Sequence, residues 1–270
     1  MISLLRKEKP LWKNGGKKQM FSAREEILNK IKAGLDPLQS RAHREISVET
    51  RLSNPSKHVV PKRAQLDQAK RIILFQQMAE EVAATTSRVS SVDELPGSII
   101  EYLNQHNLPS RIKTDTNPLL NRVDWAKHPT LEVKYGKAED CDQNSVTVAF
   151  AGVAETGTAV LTSGPNNPTT LNFLPENHII ILPVSRLFGT YEETWARLRA
   201  EMGDIEKTFP RTVNWITGPS RTGDIEQTIQ LGIHGPKRLH VILLEANDEE
   251  TCLLYTSPSP RDLSTSRMPS

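Results

Sequence analysis

The run His178-Ile179-Ile180-Ile181-Leu182 limits the chain's folding options more than any other feature. It is β-branched and apolar on both faces, so it can be stable only as a strand covered from both sides, as in a parallel sheet flanked by helices. It is also far shorter than the roughly 20 apolar residues that a membrane helix needs. Two similar runs flank it, Val146–Phe150 and Leu239–Leu244. Helical spacing of apolar residues marks about Gln65 to Ala84, Val92 to Leu108 and Tyr191 to Met202. Shorter β-rich pieces fall at Thr85–Ser91, Arg111–Lys113, Thr158–Thr162 and Thr212–Thr217, and Asp224–Leu231 reads as a helical turn or two. Strands alternating with helices predict an α/β domain with a mainly parallel sheet and flanking helices. Ahead of it, Ser22 and Glu25 form a capping box for a helix with Ile27, Leu28, Ile31 and Leu35 at helical spacing. The expected organisation is an N-terminal helix and connecting segment over 20–63 and a main domain over 64–247. Residues 114–135 are weakly patterned, with Trp125 as a local core anchor.

Both ends read differently from this body. Residues 1–19 hold a net charge of +5 and residues 252–270 a net +1, so a chain of formal charge +2 has a body of −4. An acidic body argues against a broad nucleic-acid surface. Gly15-Gly16 can be encoded as a ribosome-binding site shortly before Met20, so residues 1–19 are expected to be upstream sequence read in frame, with a basic arm as the alternative. CLLYTSPSPRD and SRMPS, in that order after Thr251, resemble translated sequencing-library adapter. No signal-peptide core precedes the body, and a cytoplasmic location is expected. The two cysteines, Cys141 and Cys252, are too few for an iron–sulfur cluster or a structural zinc site, and the seven histidines show no metal-binding spacing. No GxGxxG stretch marks a dinucleotide site. No metal and no redox cofactor is therefore expected in this chain.

Three stretches can carry chemistry. Thr217–Thr228 (TGPSRTGDIEQT) follows a strand and is expected to open a helix. Gly218 permits a tight turn, Ser220 and Thr222 offer hydroxyls, and Arg221 can grip a carboxylate or phosphate in two-point fashion. The amides at the helix start would favour an anion there, while Asp224 and Glu226 suit the first turn of any helix. Anion site and plain capping are both open. In Ala154–Pro165, Glu155 interrupts a strand and could act as base or nucleophile, or simply accept backbone N–H groups in a turn. Thr156, Gly157, Thr158 and Ser163 are candidates to line the same cleft. His178 stands at the mouth of a strand and His234 in a Gly-Pro turn between helix and strand, where a histidine can transfer protons or be structural. His240, inside the last strand, reads as structural.

VAETGTAVLTSGP, LPENHIIILP and ITGPSRTGDIEQTIQLGIHGPKRLHVILLE together resemble the LUD domain of the lactate utilization protein C family. The likeness runs from about Phe21 to Asn247 and is close only in its C-terminal part. It implies a fold like that of the NagB/RpiA/CoA-transferase group. It further implies a subunit of a bacterial system oxidising L-lactate to pyruvate, beside two cysteine-rich proteins that hold iron–sulfur clusters. The motif positions carried over are Glu155, Thr156, Gly157, Ser163, His178, Gly218, Ser220, Arg221, Asp224, Glu226, His234 and Gly235. Gly223 departs from the pattern, which more commonly has Ala there. On this basis a small carboxylate is the expected ligand, held by Arg221 and the helix start, with Glu155 or His178 facing its hydroxyl. Two rival expectations are a stand-alone CoA-transferase-like or phosphosugar-type enzyme with Glu155 as nucleophile, and a non-catalytic assembly protein.

Overall fold

The computed structural model describes residues 23–34, 46–51, 60–202, 209–223 and 230–246. Both suspect end segments, and Asp224 and Glu226, lie outside the described residues. The chain divides into two units, Met1–Lys57 and His58–Ser270. In the first, α1 (Ala23–Gly34) carries Glu25 and Glu26 in its first turn and Lys32 in its last, an order that suits the helix dipole. Residues 46–51 form a second short helix, α2.

The second unit opens with α3 (Gln68–Glu81), capped by Asp67, whose carboxylate accepts from Lys70 N at 3.0 Å. Ile72, Phe75 and Ala79 fall on one stripe and are buried. The helix stops where Ala83 takes a left-handed conformation, φ 65°. Strand β1 (Thr85–Val89) follows, then α4 (Leu95–Gln105), with Pro96 in its first turn and Ile99, Tyr102 and Leu103 buried. Asn107, at φ 52°, ends α4 in the same left-handed manner. Next come β2 (Arg111–Thr114), the short helix α5 (Pro118–Asn121) and β3 (Glu132–Tyr135). In that stretch Trp125 packs on the core and donates from Nε1 to Leu120 O at 3.2 Å.

Six strands form one sheet in which every pair is parallel. The order is β1-β12-β7-β4-β2-β3, where β4 is Asn144–Val148, β7 Asn177–Pro183 and β12 Arg238–Leu244. All seven residues of β7 are buried, as the two-faced apolar run predicts. Ile179 and Ile181 face the layer containing α4, and Ile180 and Leu182 the layer containing α3. The α/β fold with a parallel sheet and flanking helices is therefore the one observed.

A second sheet is the main departure from expectation. Its order is β8-β5-β6-β9, with β5 Ala151–Val153, β6 Thr158–Thr162, β8 Leu187–Phe188 and β9 Val213–Ile216. The expected single strand Val146–Phe150 leaves the main sheet after Val148, and Phe150 N already donates to Val160 O in the smaller sheet at 2.8 Å. There β5 and β6 form an antiparallel hairpin whose turn is Ala154–Gly157, so the break at Glu155 is a hairpin tip. Helix α6 (Thr170–Phe173) precedes β7, and α7 (Tyr191–Met202) packs Leu198 against Phe150, Val153 and Val160. The helix expected at Asp224–Leu231 needs correction at its end. Gln230–Leu231 is a strand, β11, paired antiparallel with β10, Arg221–Thr222. The start expected at Asp224 lies outside the described residues.

Candidate functional site

The β5–β6 turn and the loop after β9 meet because β6 pairs with β9, which sets Ala159 opposite Ile216. Thr158 Oγ1 then lies 2.7 Å from Thr217 Oγ1 and 3.1 Å from the Tyr191 hydroxyl, while Thr156 Oγ1 lies 2.7 Å from Thr158 Oγ1 and 3.0 Å from Tyr191. Four hydroxyls thus form one connected cluster. Each can both donate and accept, so the cluster can pass a proton along or hydrogen-bond an oxygen-rich ligand without carrying charge. Thr158 is buried, Thr156 and Tyr191 half-buried, and Thr217 exposed, so the cluster reaches from the interior to solvent. Tyr191 also packs on Trp215, ring centroids 5.2 Å apart.

Two glycines let this end seat on α3. Gly157 has φ +64°, and a side chain there would strike the Ala79 backbone. Gly218 has φ +74°, and a Cβ there would come within 2.7 Å of Val82 O. Arg221 reaches the same carbonyl, donating from Nη2 to Val82 O at 2.7 Å. A cation on a helix C-terminal carbonyl is favourable. The side chain is nonetheless exposed.

Glu155 sits beside the cluster, 6% exposed, and its Oε1 accepts from Tyr191 N at 3.3 Å. It therefore shares the start of α7 with two further side-chain acceptors of backbone N–H groups. Thr190 Oγ1 accepts from Glu193 N at 3.2 Å, and Glu193 Oε2 accepts from Gly189 N at 2.8 Å. That contact of Glu155 with Tyr191 N is the backbone N–H acceptance that one of the two readings of Glu155 expects.

The remaining predicted residues lie elsewhere. Ser163, at the far end of β6, holds β9 in register by accepting from Thr212 N at 2.9 Å. Ser220 ties down the following turn: its N donates to Pro236 O, its O accepts from Gly232 N, and its Oγ accepts from His234 N at 3.3 Å. Gly235 lies against Ser220, where a Cβ would sit 3.4 Å from the Ser220 Cβ, and His234 is exposed. Thr222 takes part in the β10–β11 pair, and Gly223 follows it. His178 is 0% exposed in the main sheet, at the N-terminal end of β7. Its Nε2 is 2.7 Å from Thr147 Oγ1, and its Nδ1 has no partner among the described residues. Burial lowers its pKa to about 3, so the ring is neutral at physiological pH. A buried N–H without a partner would be costly, so the proton belongs on Nε2, donated to Thr147.

The structure adds Asp115, which sequence reasoning passed over. It is 1% exposed and lies just past the C-terminal end of β2. Its Oδ1 accepts from Asn117 N at 3.0 Å, and burial raises its carboxyl to about 7. A small cavity beside it is walled by Thr147, Thr162 and Asn172. The available signal was Asn117-Pro118, which marks a helix start and places Asp115 in the turn before it.

The LUD domain family matches residues 72–244 of the chain. Lactate utilization protein C of Halalkalibacterium halodurans is 34% identical over 109 residues, which is 40% of this chain and 47% of that protein. The proteins of the same name from Exiguobacterium sp. and Geobacillus thermodenitrificans are each 36% identical, over 99 and 107 residues. These stretches cover 37% and 38% of this chain and 43% of each relative. The matched stretch is thus less than half the length of these relatives. The crystal structure of a DUF162 family protein from Deinococcus radiodurans superposes with a TM-score of 0.51 at 21% identity. It covers 67% of this chain and 99% of that one, a likeness of fold.

Proposed function

This chain belongs to the LUD domain family, and from that premise we propose that it is a subunit of a lactate utilization system. In this reading it binds a small carboxylate such as L-lactate, and two cysteine-rich iron–sulfur proteins accept the electrons. The observation that carries the reading is the 34–36% identity with relatives named lactate utilization protein C. The site chemistry supports it. Arg221 is exposed while its Nη2 is anchored on Val82 O, so the guanidinium is held in place and can still meet a carboxylate from solvent. The exposed end of the hydroxyl cluster, Thr217, belongs to the same loop and suits the ligand's hydroxyl.

The reading has two tests. Purified alone, the chain is expected not to oxidise L-lactate with any acceptor, and to support oxidation when combined with the two iron–sulfur proteins. Turnover by the isolated chain would refute the division of labour. Calorimetry with L-lactate should give heat for the native chain and none for Arg221→Ala. Equal heats from both would remove Arg221 from the site.

A further inference from the structure

The edge strand β1 of the main sheet borders a pocket of about 380 Å³, within the ~300–1,000 Å³ range of small-molecule sites. The last turns of α3 and α4 form its sides, through Glu80, Gln105 and His106. His240, which reads from sequence as structural, is an ordered part of its lining. Its Nδ1 is 2.7 Å from Thr85 Oγ1 and its Nε2 is 3.1 Å from Ser87 Oγ, which in turn lies 3.1 Å from Ser98 Oγ. The Tyr102 ring stacks on His240 with centroids 4.3 Å apart. Tyr102 is 3% exposed and lines the pocket, yet its hydroxyl has no hydrogen-bond partner among the described residues. Burial, reinforced by His106, lowers His240 to about 4, so that ring adds no positive charge at neutral pH.

Two carboxylates give the pocket its sign. Glu80 accepts from Thr86 Oγ1 at 3.0 Å and Glu101 from Gln105 Nε2 at 3.1 Å. Neither forms an ion pair among the described residues. Glu80 stands in the last turn of α3, where the helix dipole disfavours an anion, and the C-terminal turn of α4 adds a second negative end. Arg238, whose charge acts on Tyr102, is not in the lining and donates to Asn177 Oδ1 at 3.2 Å. We propose that this pocket binds a small organic cation with a primary ammonium or guanidinium group, its charge held by Glu80 and Glu101. No group of three acidic, histidine or cysteine residues suited to a metal ion occurs among the described residues. The hydroxyl lining suits hydrogen-bonding ammonium groups better than bare apolar cations.

Titration calorimetry and NMR on the full chain test this, with 1,4-diaminobutane and agmatine as probes and acetate as the anionic control. The expected result is saturable amine binding that shifts the Tyr102 and His240 resonances and weakens by roughly tenfold or more in Glu80→Gln/Glu101→Gln. Both glutamates are exposed, so the variant should keep the native fold, and circular dichroism checks this. If the double variant unfolds, Glu101→Gln alone serves, with the same weakening expected. Absence of saturable binding by the native chain up to about 10 mM amine, unchanged affinity in a folded variant, binding that leaves both resonances unmoved, or preference for acetate would each overturn the proposal.

Discussion

The two sheets keep their polar side chains in different forms. The six-stranded sheet buries ionisable groups, His178 and His240 within strands and Asp115 just past one, and desolvation shifts each toward its neutral form. The four-stranded sheet gathers hydroxyls, Thr156, Thr158, Thr217 and Tyr191, at an end that reaches solvent. Groups that titrate in the interior couple stability to pH, whereas hydroxyls do not. The pH dependence of the fold should therefore reside in the larger sheet, and ligand recognition at the end of the smaller one.

The largest expected effect tests how far the larger sheet dominates stability. Ile180→Ala, at a position with no exposure, should cost about 2–5 kcal/mol in urea unfolding. A loss under about 1 kcal/mol would mean that β7 is not the centre of the core. Gly157→Val tests the seat of the smaller sheet on α3. With a positive φ and the Ala79 backbone in the way, it should cost about 2–4 kcal/mol, measured by the same unfolding.

Acidification separates the sheets directly. Between about pH 6.5 and 4 the unfolded chain protonates its two histidines while the folded rings stay neutral, so stability falls with pH. Over the same window unfolded Asp115 remains largely ionised while the folded carboxyl binds a proton, so it gains stability on acidification. The net loss attributable to these three groups is one proton's worth, about 1.4 kcal/mol per pH unit. Asp115→Asn should steepen the slope by about 1.4 kcal/mol per pH unit in urea unfolding followed against pH. An unchanged slope would show that Asp115 titrates normally. Thr158→Val should leave the slope unchanged and cost about 1–2 kcal/mol, because the hydroxyls around it lose a partner.

Legibility followed the same division. The run at 178–182 fixed its own burial because no strand with two solvated faces can be apolar throughout, and the helices at α3, α4 and α7 followed from spacing. The smaller sheet was hidden by continuity: Val146–Phe150 is β-rich without interruption, and nothing local to Ala149 announces that the chain changes sheets there. The meeting of Thr158 with Thr217 spans 59 residues and depends on strand pairing, which a linear pattern does not specify. Arg221 was legible as a group that grips oxygen, but Val82 O as its partner was not, since a backbone carbonyl leaves no trace in residue type. His178 was identifiable at the mouth of a strand, while its complete burial depended on neighbours distant in sequence. Asp224 and Glu226 gain no structural account, as both lie outside the described residues.

The pairing of β1 with β12 has a consequence for biosynthesis. Thr85 finds its strand partner in His240, 155 residues later. On the ribosome the earliest strand of the sheet must wait, unsatisfied along its backbone, until almost the whole domain has been translated. A nascent chain stalled before residue 238 would leave β1 unpaired and one side of β7 open, two strand edges able to recruit other chains. Premature termination late in this gene should therefore yield aggregates rather than a shortened native domain.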